Sequence, residues 1–258
     1  MKNIMRSMLA VIAAAAMLMT GCGNSSSPQA ETNSEDLLER VDNGSITGEN
    51  EDGKDVSLDW TLYGKGILIL EGNGRIKDYA SDGADKSPYN GGEKIEKLII
   101  ADSISYVGNN AFCKCPKLKL ASMTELKLKE IGKGSFANCP ELKSVHLYEC
   151  LEKIGERAFY GCKKLKNCGL EYKYNRLPAD LKYIGKSAFE NCDLKQLTFP
   201  YGNVEIAEDA FKGCKDLVIR CRKGTKVEQY AKQNGIKTED LPEDVARIFS
   251  HDTPSVQN

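Results

Sequence analysis

The chain has 258 residues, with 36 Lys+Arg against 37 Asp+Glu and a formal net charge of −1. That balance leaves no basic excess to hold a nucleic acid or an anionic membrane face. At 41% hydrophobic there is material for a sizeable core in one or two domains, and ten cysteines fall short of disulfide-scaffold density.

Residues 1–21 read as a targeting segment rather than as fold. Lys2 and Arg6 form a positive n-region, and Val11 to Met19 an apolar h-region too short to span a membrane. The segment ends in Leu18-Met19-Thr20-Gly21-Cys22, which resembles a bacterial lipobox. The resemblance implies cleavage before Cys22 and diacylglycerol on its sulfur, a lipidation site holding the protein on the outer face of the bacterial cell membrane. Two acyl chains suffice for stable anchoring without a spanning helix. Met19 stands where leucine is commonest; the alternative is a plain secretory signal whose cysteine is incidental.

Residues 22–54 are mostly Ser, Asn, Glu, Asp and Gly, and too poor in apolar groups to order themselves. They read as a flexible tether with an r.m.s. span of roughly 30 Å. Residues 55–94 read as an N-terminal β cap. Ser57 to Tyr63 and Ile67 to Glu71 are strands joined by Gly64-Lys65-Gly66, a second turn falls at Gly72-Asn73-Gly74, and Ile76 to Tyr79 follows. Trp60 is a core anchor for this hairpin. A solenoid needs such a cap because its first coil otherwise exposes an apolar face and a sheet edge.

From Ile95 a repeat governs the chain. Phe112, Phe136, Phe159, Phe189 and Phe211 are separated by 24, 23, 30 and 22 residues. Five places before each stands Val107, Ile131, Ile154, Ile184 or Ile206; four before stands Gly108, Gly132, Gly155 or Gly185, with Ala207 breaking the series. Ala111, Ser135, Ala158, Ala188 or Ala210 comes immediately before, and Cys115, Cys139, Cys162, Cys192 or Cys214 three places after. Five coincident columns define a solenoid over residues 95–237 with two short parallel strands and a tight helical or 3-10 turn per coil of about 23 residues. The phenylalanines stack as a spine, the glycines permit a bend or a positive φ, and each cysteine is a buried thiol able to meet a backbone carbonyl.

These columns resemble the leucine-rich repeats of the BspA-like, or treponemal, bacterial surface proteins. The resemblance covers Ile95 to Lys237, and the hairpin before it resembles the cap that precedes such repeats. Gly224 to Ile236 resembles their C-terminal coil, with a short helix over Val227 to Lys232 ended by Gly235. Residues Glu171 to Pro178 insert into the fourth coil, and residues 238–258 read as a mobile tail with a helical turn near Asp244 to Phe249.

No enzymatic activity, cofactor or metal is expected. Cys113, Cys150, Cys168 and Cys221 lack the paired spacing of a zinc site, and His146 and His251 have no nucleophile arrangement beside them. What remains is a surface. In register, Ile99, Ser122, His146, Gly169 and Thr198 form one outward lane of the strand layer, and Lys97, Leu120, Ser144, Asn167 and Gln196 another. Tyr148, Glu171, Tyr172, Tyr174 and Arg176 flank them, and together with Ser122 and His146 they are the candidate binding residues, because tyrosine and arginine suit interfaces and loops on rigid scaffolds carry function. The same lanes also read as no more than a solvated sheet face. The resemblance implies a lipid-anchored scaffold for an unidentified protein or glycan ligand, in adhesion or host interaction; the alternative is an accessory envelope lipoprotein supporting a partner complex.

Overall fold

Alternating short strands and tight turns wind the repeats into a parallel β-solenoid of about six turns. The computed structural model of the chain describes residues 39–249 except 102, 124–126 and 171–173. Cys22, Glu171, Tyr172, His251 and the targeting segment therefore lie outside the described residues.

Four strands begin the fold: β1 (Arg40–Glu49), β2 (Asp55–Tyr63), β3 (Ile67–Glu71) and β4 (Asn73–Ile76). The solenoid strands follow as β5 (Lys97–Ile100), β6 (Ser103–Val107), β7 (Leu120–Met123), β8 (Glu130–Ile131), β9 (Ser144–His146) and β10 (Lys153–Ile154). After them come β11 (Asn167–Cys168), β12 (Tyr183–Ile184), β13 (Gln196–Thr198), β14 (Glu205–Ile206) and β15 (Val218–Arg220). Helix α1 (Lys226–Gln233), β16 (Lys237–Glu239) and α2 (Glu243–Ile248) close the chain.

The cap joins two ladders into one sheet. Strand β3 pairs in parallel with β5 and so extends the β5-β7-β9-β11 ladder, while β4 pairs with β6 and extends the β6-β8-β10-β12-β14 ladder. Antiparallel β2 and β1 bridge β3 to β4, closing the first coil's open end. Here two sequence expectations fail. Residues 40–49 are not tether but the strand that links the ladders, because polar side chains on an edge-bridging strand need little burial when the backbone bonds are made. Asn73 and Gly74 are not a turn but the start of β4; Gly74 lies at φ 148°, and a Cβ there would meet the Glu49 carbonyl oxygen at 2.6 Å. Trp60 is half-buried against the core, beside Gly44.

The core is a column of rings. Tyr89, Phe112, Phe136, Phe159, Phe189 and Phe211 stack at centroid separations of 5.2, 5.5, 5.4, 5.2 and 5.4 Å. Tyr230 of α1 ends the column edge-on at 6.1 Å. The segments around the rings are turns rather than helices, closed by bonds such as Ala137 N–H to the Gly134 carbonyl at 3.0 Å. Left-handed residues sit two places before the ring (Asn110, Gly134, Arg157, Ser187) and two places after it (Lys114, Asn138, Gly161, Asn191, Gly213). They turn every second amide toward the next coil, so that Gly134, Phe136 and Asn138 donate to the carbonyls of Glu156, Ala158 and Tyr160 at 2.9, 2.8 and 2.7 Å.

Of the bend or positive φ expected of the glycine column, the positive φ is not taken by Gly108, Gly132, Gly155 or Gly185. A Cβ on Gly108 would lie 1.8 Å from the Lys77 oxygen, and one on Gly155 2.8 Å from the Gly132 carbonyl carbon. These glycines are required by the close passage of one coil's backbone over the next.

The C-terminal cap follows from local signals. Thr225 caps α1, its hydroxyl accepting from Glu228 N–H at 3.3 Å, while Glu228 accepts from Gly224 N–H at 2.8 Å. Gly235 at φ 66° ends the helix and returns the chain to β16 beside β15. Residues 238–249 are thus not a free tail: β16 needs a parallel partner that only the finished solenoid presents.

Candidate binding surface

Burial divides the outward strand positions into two unequal lanes. Ile99, Ser122, His146 and Thr198 are only 2, 6, 8 and 0% exposed. This corrects the expectation of a solvated lane. Alternation sets which side of the sheet a side chain leaves from, not whether water reaches it. Ile99 lies beside Ser122 and Ser122 beside His146 in register, so each shields the next. Burial holds the His146 imidazole below the ordinary histidine range, which keeps it neutral. The second lane is different: Lys97, Leu120, Ser144, Asn167 and Gln196 are half-buried, as are Tyr148 and Tyr174 at its border.

The insertion enters the sheet instead of looping away from it. Leu170 N–H donates to the Arg176 carbonyl at 2.9 Å, and Leu177 N–H to Thr198 at 2.9 Å. Residues 175–177 thereby stand between β11 and β13 and split the outer ladder into two sheets. Asn175 makes the splice. Its Oδ1 accepts from Cys168 N–H at 2.6 Å, and its Nδ2 donates to the carbonyls of Lys166 and Gln196 at 3.1 and 2.7 Å. One buried amide side chain thus does the work of ladder rungs on both sides. Both Thr198 Oγ1 and Gln196 Nε2 donate to the Tyr174 carbonyl, at 2.6 and 3.0 Å.

Arg176 is buried rather than offered to solvent. Its Nη2 reaches Glu149 Oε1 at 2.6 Å, and the second Glu149 oxygen accepts from Ala179 N–H at 2.7 Å. The guanidinium carbon stands 5.0 Å from the Phe249 ring centroid. The Tyr174 hydroxyl donates to the Asp244 carboxylate, so the C-terminal segment touches two of the candidate residues.

The cysteine column is a hydrogen-bond ladder. The thiols of Cys115, Cys139, Cys162, Cys192 and Cys214 donate to the carbonyls of Tyr89, Phe112, Phe136, Phe159 and Phe189 at 3.1–3.2 Å. Burial pushes the Cys214 thiol up to about 11 and raises Cys168 and Cys192 as well. Such groups are neither thiolate nucleophiles nor soft metal ligands at neutral pH. Among the described residues, no cluster of three or more His, Cys, Asp or Glu is placed to hold a metal. A cavity of about 690 Å³ between the last coil and α1 is lined by Asp209, Lys212, Asp216 and Lys237, charges of both signs with no convergent polar set.

Tyr89 was within reach of the sequence, since it stands 23 residues before Phe112, one period of the repeat. No sequence signal marks Asn175 as a splice.

Comparison with known proteins places this geometry. The model of the BspA type leucine rich repeat region matches residues 85–218 in six copies. A leucine-rich repeat protein from Eubacterium ventriosum is similar in structure, with a TM-score of 0.55 at 22% identity over 71% of this chain and 45% of that one. The pneumococcal vaccine antigen PcpA is similar with a TM-score of 0.56 at 14% identity, over 76% of this chain and 48% of that one. The chain spans about half the length of these solved structures. No curated protein matches it. Scaffolds of this kind are typically non-enzymatic, usually surface or secreted, and suggest protein binding. Among the described residues no helix is long and apolar enough to cross a membrane. With six matched copies of the repeat over more than half of its length, the chain belongs to the BspA-type leucine-rich-repeat family.

Proposed function

We propose that this protein is a lipid-anchored cell-surface scaffold whose strand face binds a protein or glycan ligand in adhesion or host interaction. The observation that carries the binding part is the half-exposed lane of Lys97, Leu120, Ser144, Asn167 and Gln196. Lys97, Leu120, Ser144 and Asn167 are spaced by the β ladder, with Gln196 beyond the splice, and preorganised side chains lose little entropy on binding. Mixed polarity along the lane suits a specific interface better than a sticky apolar patch. The anchor part is supported by the lipobox-like Leu18 to Cys22.

Two experiments test the parts separately. In a bacterial host fed labelled palmitate, the full chain should take up label and sediment with membranes, and Cys22→Ser should do neither; membrane retention of the variant refutes the anchor. Full-chain bait should recover partners from host-matrix or envelope fractions, and Leu120→Arg with Asn167→Arg should weaken that recovery at least tenfold. Undiminished recovery refutes the lane, and recovery from the cell's own envelope alone redirects the reading to an accessory envelope role.

A further inference from the structure

Segment Glu243–Phe249 lies against the splice region through four different kinds of contact. Tyr174 donates to the Asp244 carboxylate, and the Arg176 guanidinium faces the Phe249 ring at 5.0 Å. Tyr201 meets that ring edge-on, at 5.4 Å and 83°. Arg222 Nη2 donates to the Phe249 carbonyl at 2.9 Å. Val245 is turned inward at 2% exposure, whereas Ile248 on the same helix is 70% exposed.

The receptor side is built independently of this segment. Glu149 takes one edge of the Arg176 guanidinium and leaves its face for a ring. Tyr174 is held through its own carbonyl by Gln196 and Thr198, and Arg222 precedes the capped helix α1. The segment, in contrast, has no place in a ladder. Its described backbone bonds, Ala246 to the Pro242 carbonyl and Phe249 to the Val245 carbonyl, reach no further than the residue before it. A helix of six residues is not stable by itself, so α2 is helical because it is docked. Segments held in this way open at low free-energy cost.

We propose that Tyr174, Arg176, Tyr201 and Arg222 form a peptide-binding site, and that Glu243–Phe249 is its resident, exchangeable ligand. The site takes a short helical segment with an acidic side chain five residues ahead of an aromatic ring, whose backbone carbonyl meets Arg222. This deepens the binding-scaffold reading on which it rests, because it names a protein segment, not a glycan, as the ligand class of this end of the strand face. It also makes the chain's own C-terminal segment a competitor of any such partner.

The test needs no outside partner. A fluorescein-labelled peptide of residues 240–250 (DLPEDVARIFS) is titrated into the full chain and followed by anisotropy. Phe249→Ala in the full chain empties the site, so the peptide should bind it at least tenfold more tightly than wild type. Val245→Asp, which expels α2 by placing a charge in its buried contact, should give the same gain. Adding Tyr201→Ala to Phe249→Ala should abolish binding, and a scrambled peptide should not bind. Equal affinity for wild type and both vacated variants overturns the proposal, as does the absence of saturable binding to them. Peptide binding without any recovered cell partner would leave this site standing and refute the adhesion reading; partner recovery without peptide binding would do the reverse.

Discussion

Phe136 and Phe159 stack with centroids 5.4 Å apart and ring planes 6° from parallel. Both are fully buried, and Phe189 lies 5.2 Å beyond Phe159, so each ring is floor to one neighbour and ceiling to another. Ladder bonds on several sides of every coil fix that spacing. Phe159→Ala therefore leaves a hole the coils cannot close, and should cost about 3–5 kcal/mol in urea unfolding. Phe211→Ala should cost less, because its outer neighbour is the edge of Tyr230 on a helix that can shift. An unchanged midpoint for Phe159→Ala would exclude the spine.

Gly155 and Arg157 make opposite demands two residues apart. A Cβ on Gly155 would stand 2.8 Å from backbone atoms of Gly132 and Lys133, which ladder bonds prevent from retreating. Gly155→Ala should destabilise by about 1–3 kcal/mol through overpacking. Arg157 sits at φ 54°, where glycine has no steric cost, and Arg157→Gly should be close to neutral once the lost stacking on Tyr160 at 3.9 Å is included. Thermal denaturation of the two variants checks the contrast; equal losses would refute it.

Asn175 bonds three backbone groups on two coils with one side chain. Asn175→Ala leaves the Cys168 amide and two carbonyls without those partners, at a cost of about 2–4 kcal/mol. The local readout is hydrogen exchange at Cys168, which should accelerate well ahead of amides in β8 or β10. Uniform acceleration across the solenoid would mean that the splice has no local role.

Buried titratable groups set the pH window. Burial pushes Cys214 and Cys221 up to about 11, so folding holds these thiols neutral while the unfolded chain ionises near 8.5. Their contribution is complete below about pH 8.5 and is lost as pH rises through about 11. His146 shifts the other way: burial lowers its pKa, so its contribution is present above about pH 6.5 and declines as pH falls from there. Urea midpoints should form a plateau between these limits, and a midpoint still rising at pH 10 would contradict the thiol assignment.

Column spacing made the solenoid legible because every coil repeats the same local constraints. The phenylalanine, cysteine and alanine columns mark a ring spine, a thiol ladder and a tight turn before any coordinates are known. The glycine column was legible as a requirement but not as its cause, since positive φ and close backbone passage both select glycine. Strand β1 was not legible at all. Its polar residues are ordered by ladder bonds to β2 and β4, which composition does not record.

Lane exposure, the splice and the docked C-terminus belong to the tertiary structure alone. The sequence by itself determined the coil, its period and its buried columns, because those depend on contacts repeated at a fixed separation along the chain. Whether Arg176 pairs with Glu149 and whether Phe249 rests on Arg176 depend on residues 27 or more positions apart that meet once and follow no period. A contact made once leaves no periodic trace, so only the folded chain decides it.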